Sequence, residues 1–266
     1  MAKKASNDYL KMPKIQSNER HFALILVASV LIPIVRLFFK VEAKGLSKLP
    51  KKGAYVLVSN HVTNMDALAM AYLVYMKLHR APHFLAKGSL FKVPVIGPVL
   101  RAAGQIPIYR GGQRNDEPLR AAYEYLKAGH SITIFPEGTL TRQPDLWPMR
   151  GKTGAVRLAL ETNVPVFAIA HWGSEQILPQ YGSKFRPGFW KPVNFLVGDE
   201  IDLSRFRNKK LTPDQVHEAT DLVMRKITEL VEQLRGETAP KNLWDPVTQG
   251  QPVHGNFKKA NKKAGK

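Results

Sequence analysis

The sequence predicts an α/β fold: a single domain with a mostly buried, mixed β-sheet flanked by helices, plus an N-terminal membrane-associating helical segment. Three observations carry this expectation. From residue 53 onward, short apolar runs rich in β-branched or aromatic residues alternate with helix-like runs. A 14-residue apolar stretch, Phe22 to Val35, follows a basic, polar start. Polar clusters fall at the ends of three of the strand-like runs, where open α/β sheets bind their ligands.

Residues 1–41 are expected to form the membrane-associating segment. The lead-in MAKKASNDYLKMPKIQSNER is followed by FALILVASVLIPIV, then Arg36 and LFF. Fourteen helical residues reach only about 21 Å, short of a hydrocarbon core of roughly 30 Å, and Pro33 interrupts the helical hydrogen bonds. A clean transmembrane span is therefore not expected. VRLFFKVEAKGL offers only a weak small-residue cleavage site near Ala43, which argues against a signal peptide. A buried core helix is the alternative. The expectation is a helix broken near Pro33 that lies in one leaflet, with Lys14, Arg20, Arg36 and Lys40 at headgroup level.

Residues 42–236 are expected to hold the α/β domain. AYVLVS, PHFLAK, GQIPIY, HSITIF, VPVFAIA and VNFLVG read as strands, and ALAMAYLVYM could be a helix. Pro118 and Gly129 bracket the helical LRAAYEYLKAG, and GAVRLALETN is an amphipathic helix stopped before Pro165. Thr212, Pro213 and Gln215 give a capping-box start to a long helix. That helix carries Val216, Val223, Ile227, Leu230, Val231 and Leu234 on one side and is closed by Gly236. Residues 237–266 turn polar, end KKANKKAGK and read as a basic, flexible tail.

Composition narrows the function. With 266 residues and 44% hydrophobic content the chain can bury one sizeable core. It has no cysteine, so disulfides, thiolate metal sites and a cysteine nucleophile are excluded. Forty Lys plus Arg against 21 Asp plus Glu give a net charge of +19, which favours nucleic acid, anionic lipid headgroups or phosphorylated substrates as partners.

The motifs discriminate among these. SNHVTNMDAL places His61 five residues ahead of Asp66. The bland account makes Asp66 a helix cap, with Ser59, Asn60 and Asn64 as turn residues. The pair alone does not decide between that and catalysis. IFPEGTLTR adds Glu137 and a Gly138-Thr139 step that exposes backbone amides, and GQIPIYRGG adds Arg110 before two glycines.

Together these blocks resemble the glycerophospholipid acyltransferases of the 1-acylglycerol-3-phosphate type. The blocks are NHVTNMD (Asn60 to Asp66), GQIPIYR (Gly104 to Arg110), FPEGT (Phe135 to Thr139) and VPVFAIA (Val164 to Ala170), in the family's order. The resemblance runs from about Glu42 to Val197. It implies acyl transfer from an acyl thioester, either acyl-CoA or acyl carrier protein, to 1-acylglycerol 3-phosphate, giving phosphatidate; glycerol 3-phosphate or another lysophospholipid is the alternative acceptor. It also implies work at a phospholipid membrane, on the cytoplasmic face. Two departures stand out: the family's Glu-Gly-Thr-Arg is Glu-Gly-Thr-Leu here, with the arginine displaced to Arg142, and the fourth block lacks its second proline at Phe167 or Ala168.

The chemistry suits these residues. A glycerol hydroxyl needs a general base, the role of His61, and a carboxylate on the other ring nitrogen, Asp66, fixes the tautomer. A thioester needs no enzyme nucleophile, so the missing cysteine is no obstacle. Amides around Gly138 and Thr139 could meet the oxyanion. By the resemblance Arg110 holds the phosphate and Glu137 orders the glycerol or the cations, with Arg142, Lys87 and Lys152 as further basic candidates.

No metal or cofactor is implied. The P-loop-like RGKTG fails because Leu146 stands where the first glycine belongs, and neither Gly-x-Gly-x-x-Gly nor Gly-x-Ser-x-Gly occurs. No nucleic-acid module is recognisable, so nucleic acid is not expected as a partner. The competing class is a non-catalytic basic protein of the membrane surface.

Overall fold

The computed structural model describes residues 15, 19–108, 117–182, 186 and 188–251. The chain runs α1 (Phe22–Phe38), β1 (Phe39–Lys44), β2 (Val56–Ser59), α2 (Asp66–Lys77), β3 (His83–Lys87), α3 (Ile96–Ala102), β4 (Ile106–Ile108), α4 (Glu117–Lys127), β5 (Ile132–Ile134), α5 (Gly154–Thr162), β6 (Val166–Trp172), β7 (Lys191–Glu200) and α6 (Pro213–Arg235). Seven strands form one mixed sheet in the order β1-β7-β6-β2-β5-β3-β4. From β6 to β4 all neighbours are parallel, β7 runs antiparallel to β6, and β1 is parallel to β7.

Helices cover both faces, which is why the central strands read as continuous apolar runs rather than alternating ones. Val56, Val58, Ile132, Ile134, Val166, Ala168 and Ala170 face α4, α5 and α6, and Val223, Met224, Ile227 and Val231 come from the predicted stripe side of α6. Leu57, Phe167, Ile169, Val193, Phe195 and Val197 face the other way and bury Ala69, Met70, Leu73 and Val74 of α2. The ends of α6 are as the sequence demanded. Thr212 and Gln215 exchange capping-box hydrogen bonds, and Gly236 closes the helix at φ +67°.

Three local expectations need correction. The apolar segment is not broken at Pro33, since α1 is continuous from Phe22 to Phe38. Ser29, whose carbonyl loses its helical partner to Pro33, and Pro33 itself are both on the exposed side, so water can compensate the loss. The domain boundary expected between residues 41 and 42 falls inside β1, whose six residues pair in register with β7. Residues 237–251, read as the start of a flexible tail, fold back onto the domain. Met149 and Trp244 form a bridge, Arg150 N–H donates to Trp244 O (2.8 Å), and the Arg150 guanidinium pairs with Asp245 (2.9 Å). Residues 252–266 lie outside the described residues.

At the N-terminal edge of the parallel strands Arg80 acts as a buried clamp. It binds the carboxylate of Glu19 (2.5 Å) and the carbonyls of Gly53 (3.0 Å) and Gly129 (3.2 Å), tying the approach to α1 onto the sheet. The opposite, C-terminal edge holds the loops with the sequence motifs.

Candidate active site

β2 ends at Ser59 in the middle of the sheet, and α2 begins at Asp66, so the motif between them is the strand-to-helix turn. Asp66 sits in the first turn of α2, where a carboxylate is favoured by the helix dipole, and its side chain folds back into the turn. Oδ2 faces His61 Nδ1 at 2.9 Å and accepts from the amides of Val62 (2.6 Å) and Thr63 (2.8 Å). Oδ1 accepts from Thr63 Oγ1 (3.1 Å) and Ser174 Oγ (2.5 Å). Burial pushes this carboxyl's pKa up, but the imidazoles of His171 and His61 and the Ser174 hydroxyl outweigh it and hold it at about 2. An ionised Asp66 only accepts, so the His61 ring must present Nδ1–H to it. The Nε2 lone pair is left to take a proton. The His61 ring is stacked on Phe135 (centroids 4.2 Å apart, planes at 17°), and its side chain keeps 17% of its surface exposed.

Phe135 belongs to the turn after β5, the strand beside β2. Glu137 is 1% exposed and joins two loops: Oε1 accepts from His61 N–H (2.9 Å) and Oε2 from Met149 N–H (3.2 Å). Burial pushes its pKa up to about 8 against these lowering hydrogen bonds, with the charge of Asp66 adding to the rise. Glu137 thus braces the loop beneath His61. The Gly138 amide is also engaged, donating to Phe135 O (2.9 Å), which leaves Thr139 as the backbone amide to consider for an oxyanion. Gly138 adopts φ +67°, and a Cβ there would come within 3.1 Å of Lys152 Cδ, so the glycine lets the exposed Lys152 lie across the turn.

β6, on the other side of β2, supplies residues that the sequence did not reveal. Asn60 is pinned to β6 by its Nδ2 donating to His171 O (2.9 Å), by His171 N–H donating to its Oδ1 (3.0 Å), and by His171 Nε2–H donating to its carbonyl (2.9 Å). Gly173 then turns the chain at φ +116°, where a Cβ would collide with Pro192 O, and Ser174 arrives under Asp66. His171 and Ser174 are both fully buried. They lie more than a hundred residues from their partners, and nothing in their local sequence marks them.

The basic candidates separate. Arg110 lies outside the described residues. Lys87 is exposed at the end of β3, with β5 between it and β2. Arg142 is 1% exposed, packed inside the domain rather than on a loop surface, and Leu140 beside it is 5% exposed. The carbonyls of Leu140 and Thr141 are covered by Tyr181 Oη (3.1 Å) and Gln180 Nε2.

The Acyltransferase family model matches residues 40–172, half of the chain. A chloroplastic 1-acyl-sn-glycerol-3-phosphate acyltransferase of Brassica napus is 34% identical over 161 residues, covering 60% of this chain and 44% of its own length. The 1-acyl-sn-glycerol-3-phosphate acyltransferase of Borreliella burgdorferi is 29% identical over 176 residues, covering 65% of this chain and 67% of its own length. The match thus spans less than half the length of the plant relatives. The crystal structure of the 1-acyl-sn-glycerophosphate acyltransferase PlsC from Thermotoga maritima superposes with a TM-score of 0.61 at 23% identity, covering 82% of this chain and 81% of that one, and shares its fold.

Proposed function

The chain belongs to the Acyltransferase family, and on that premise we propose that it moves a fatty acyl group from an acyl thioester to the hydroxyl of 1-acylglycerol 3-phosphate, forming phosphatidate. The observation that carries the reading is the His61 Nδ1 to Asp66 Oδ2 contact of 2.9 Å, with the imidazole edge partly exposed at the C-terminal edge of the sheet. In this mechanism His61 Nε2 takes the proton of the acceptor hydroxyl as its oxygen attacks the thioester carbonyl. The tetrahedral adduct then expels the thiolate, and the imidazolium returns the proton to sulfur. Asp66 offsets the transient positive charge from inside the protein. Phe135 keeps one face of the imidazole dry.

The test is an acyl-transfer assay of purified protein in detergent, with acyl-CoA and acyl carrier protein donors and 1-acylglycerol 3-phosphate, glycerol 3-phosphate and other lysophospholipids as acceptors. Phosphatidate formation that disappears in His61→Ala supports the reading. Transfer that survives His61→Ala overturns the role of His61.

The acceptor is a lipid, and the proposal includes a membrane surface at the cytoplasmic face. No helix among the described residues is long and apolar enough to cross a membrane. α1 buries Leu24, Ala28 and Val35 against the domain, yet leaves Phe22 (80%), Leu26 (59%) and Val30 (60%) exposed. An apolar helix face turned to solvent suits a helix lying in one leaflet. Leu26→Asp with Val30→Asp is expected to lower sedimentation with anionic vesicles at unchanged thermal stability, and undiminished sedimentation would remove α1 from the membrane contact.

A further inference from the structure

We propose that Ser174 is a positioning residue of the acyl-transfer site, setting the basicity of His61 through Asp66 from the far side of the carboxylate. The inference rests on the proposed reaction. Its geometry is independent of it.

Asp66 Oδ2 serves His61 and its own turn, whereas Oδ1, which also accepts from Thr63 Oγ1 of that turn (3.1 Å), is reached from β6's side by the Ser174 hydroxyl, at 2.5 Å. The hydroxyl's placement is built rather than incidental. Gly173 occupies a backbone region that side chains avoid, and a Cβ there would meet Pro192 O. The following 3₁₀ turn, Ser174–Gln176, is fixed by Glu175 Oε2 accepting from Gly173 N–H (2.9 Å). The same end of β6 pins Asn60, next to His61, through three hydrogen bonds between Asn60 and His171. One strand end therefore fixes both members of the pair.

A short hydrogen bond to a buried carboxylate withdraws negative charge from it. With Ser174 in place, Asp66 is a weaker partner for the His61 imidazolium. Removing the hydroxyl concentrates the charge on Oδ2, stabilises protonated His61 and leaves less free base at a given pH. The other titratable groups around the pair are His171 on β6, 3.5 Å from Asp66 Oδ2, Glu175 in the turn, Glu137 beneath the His61 amide, and Lys152 across Gly138. None of these side chains is itself replaced in the Ser174 variants.

The experiment uses Ser174→Ala, Ser174→Cys and Ser174→Thr in the full chain. In the absence of substrate, the His61 imidazole is titrated by NMR, its resonance assigned by loss in His61→Gln. Ser174→Ala should move that titration upward by about half a pH unit or more, and Ser174→Cys by less, as expected when a donor to an ionised partner is lost. Ser174→Thr should restore the original midpoint. In the transfer assay, the acid limb of kcat should shift by the same amount, with kcat on that limb down about threefold for each half unit and KM for both substrates little changed. A His61 midpoint and acid limb that stay put in folded Ser174→Ala and Ser174→Cys overturn the inference, whatever happens to kcat. Because the NMR titration needs no turnover, a failure of the proposed reaction would show in the His61→Ala assay and leave this result readable.

Discussion

Replacing Glu137 by alanine separates a brace from a substrate ligand. The side chain is sealed from solvent, and its two oxygens are the acceptors for His61 N–H and Met149 N–H. Stranding one buried amide costs about 1–3 kcal/mol, and two are stranded here. The Met149 bond is the longer at 3.2 Å, and deleting a carboxyl whose burial is unfavourable returns part of the loss. A net destabilisation of about 3 kcal/mol is expected, read as a lower urea midpoint at unchanged slope. Because the His61 amide loses its anchor, kcat should fall while KM for the phosphorylated acceptor stays within about twofold. An unchanged urea midpoint together with a KM raised tenfold or more would mean that Glu137 touches the substrate. Glu137→Gln adds a pH signature. The native carboxyl keeps its proton up to about pH 8, while the unfolded chain releases it near 4.5. Its contribution to stability is complete below the lower value and is lost as pH rises through the upper one, so stability should decline across that interval. Gln cannot titrate and should flatten the decline.

Three further outcomes are expected. His61→Ala and Asp66→Asn should each lower kcat by about 10² to 10⁴, with the double variant little worse than His61→Ala; additive losses would mean the two residues do not act together. Asp66, held at about 2 against an ordinary 3.8, contributes stability that is present above 3.8 and lost as pH falls through 2, so Asp66→Asn should lessen acid sensitivity in a pH series of unfolding curves. Arg80→Ala leaves the half-buried Glu19 carboxylate and two carbonyls without their guanidinium, and thermal unfolding should report a loss of about 3–5 kcal/mol.

Much of the fold was legible because the deciding interactions are local. The α6 capping box, its glycine stop and its apolar stripe are all set within one segment, and the six strands announced themselves by unbroken apolar runs. β1 was not legible. FKVEAK carries charges on its exposed positions and continues directly from α1, and only pairing with β7, some 150 residues later, makes it a strand. The break expected at Pro33 failed for a related reason: propensity says that the hydrogen bond is lost, whereas the exposure of Ser29 decides whether losing it matters.

The site divides along the same line. His61 and Asp66 are five residues apart, so one turn brings them together, and sequence alone could pair them. Placing Glu137 at a strand end was equally within reach, but its bracing contacts were not, because the two amides that it accepts from come from different loops. Arg142 shows how far spacing can mislead. Residues two apart in an extended stretch share a face, so an arginine moved from position 140 to 142 looked able to keep a phosphate contact at the surface. Leu140 and Arg142 do both point inward, beneath a segment whose Gln180 and Tyr181 cover the carbonyls of Thr141 and Leu140. A guanidinium so placed must be met from within the protein, because leaving its charge unsolvated would cost far more than a surface contact returns. The 174–182 segment that covers the carbonyls of Leu140 and Thr141 is the same segment that carries Ser174 to Asp66.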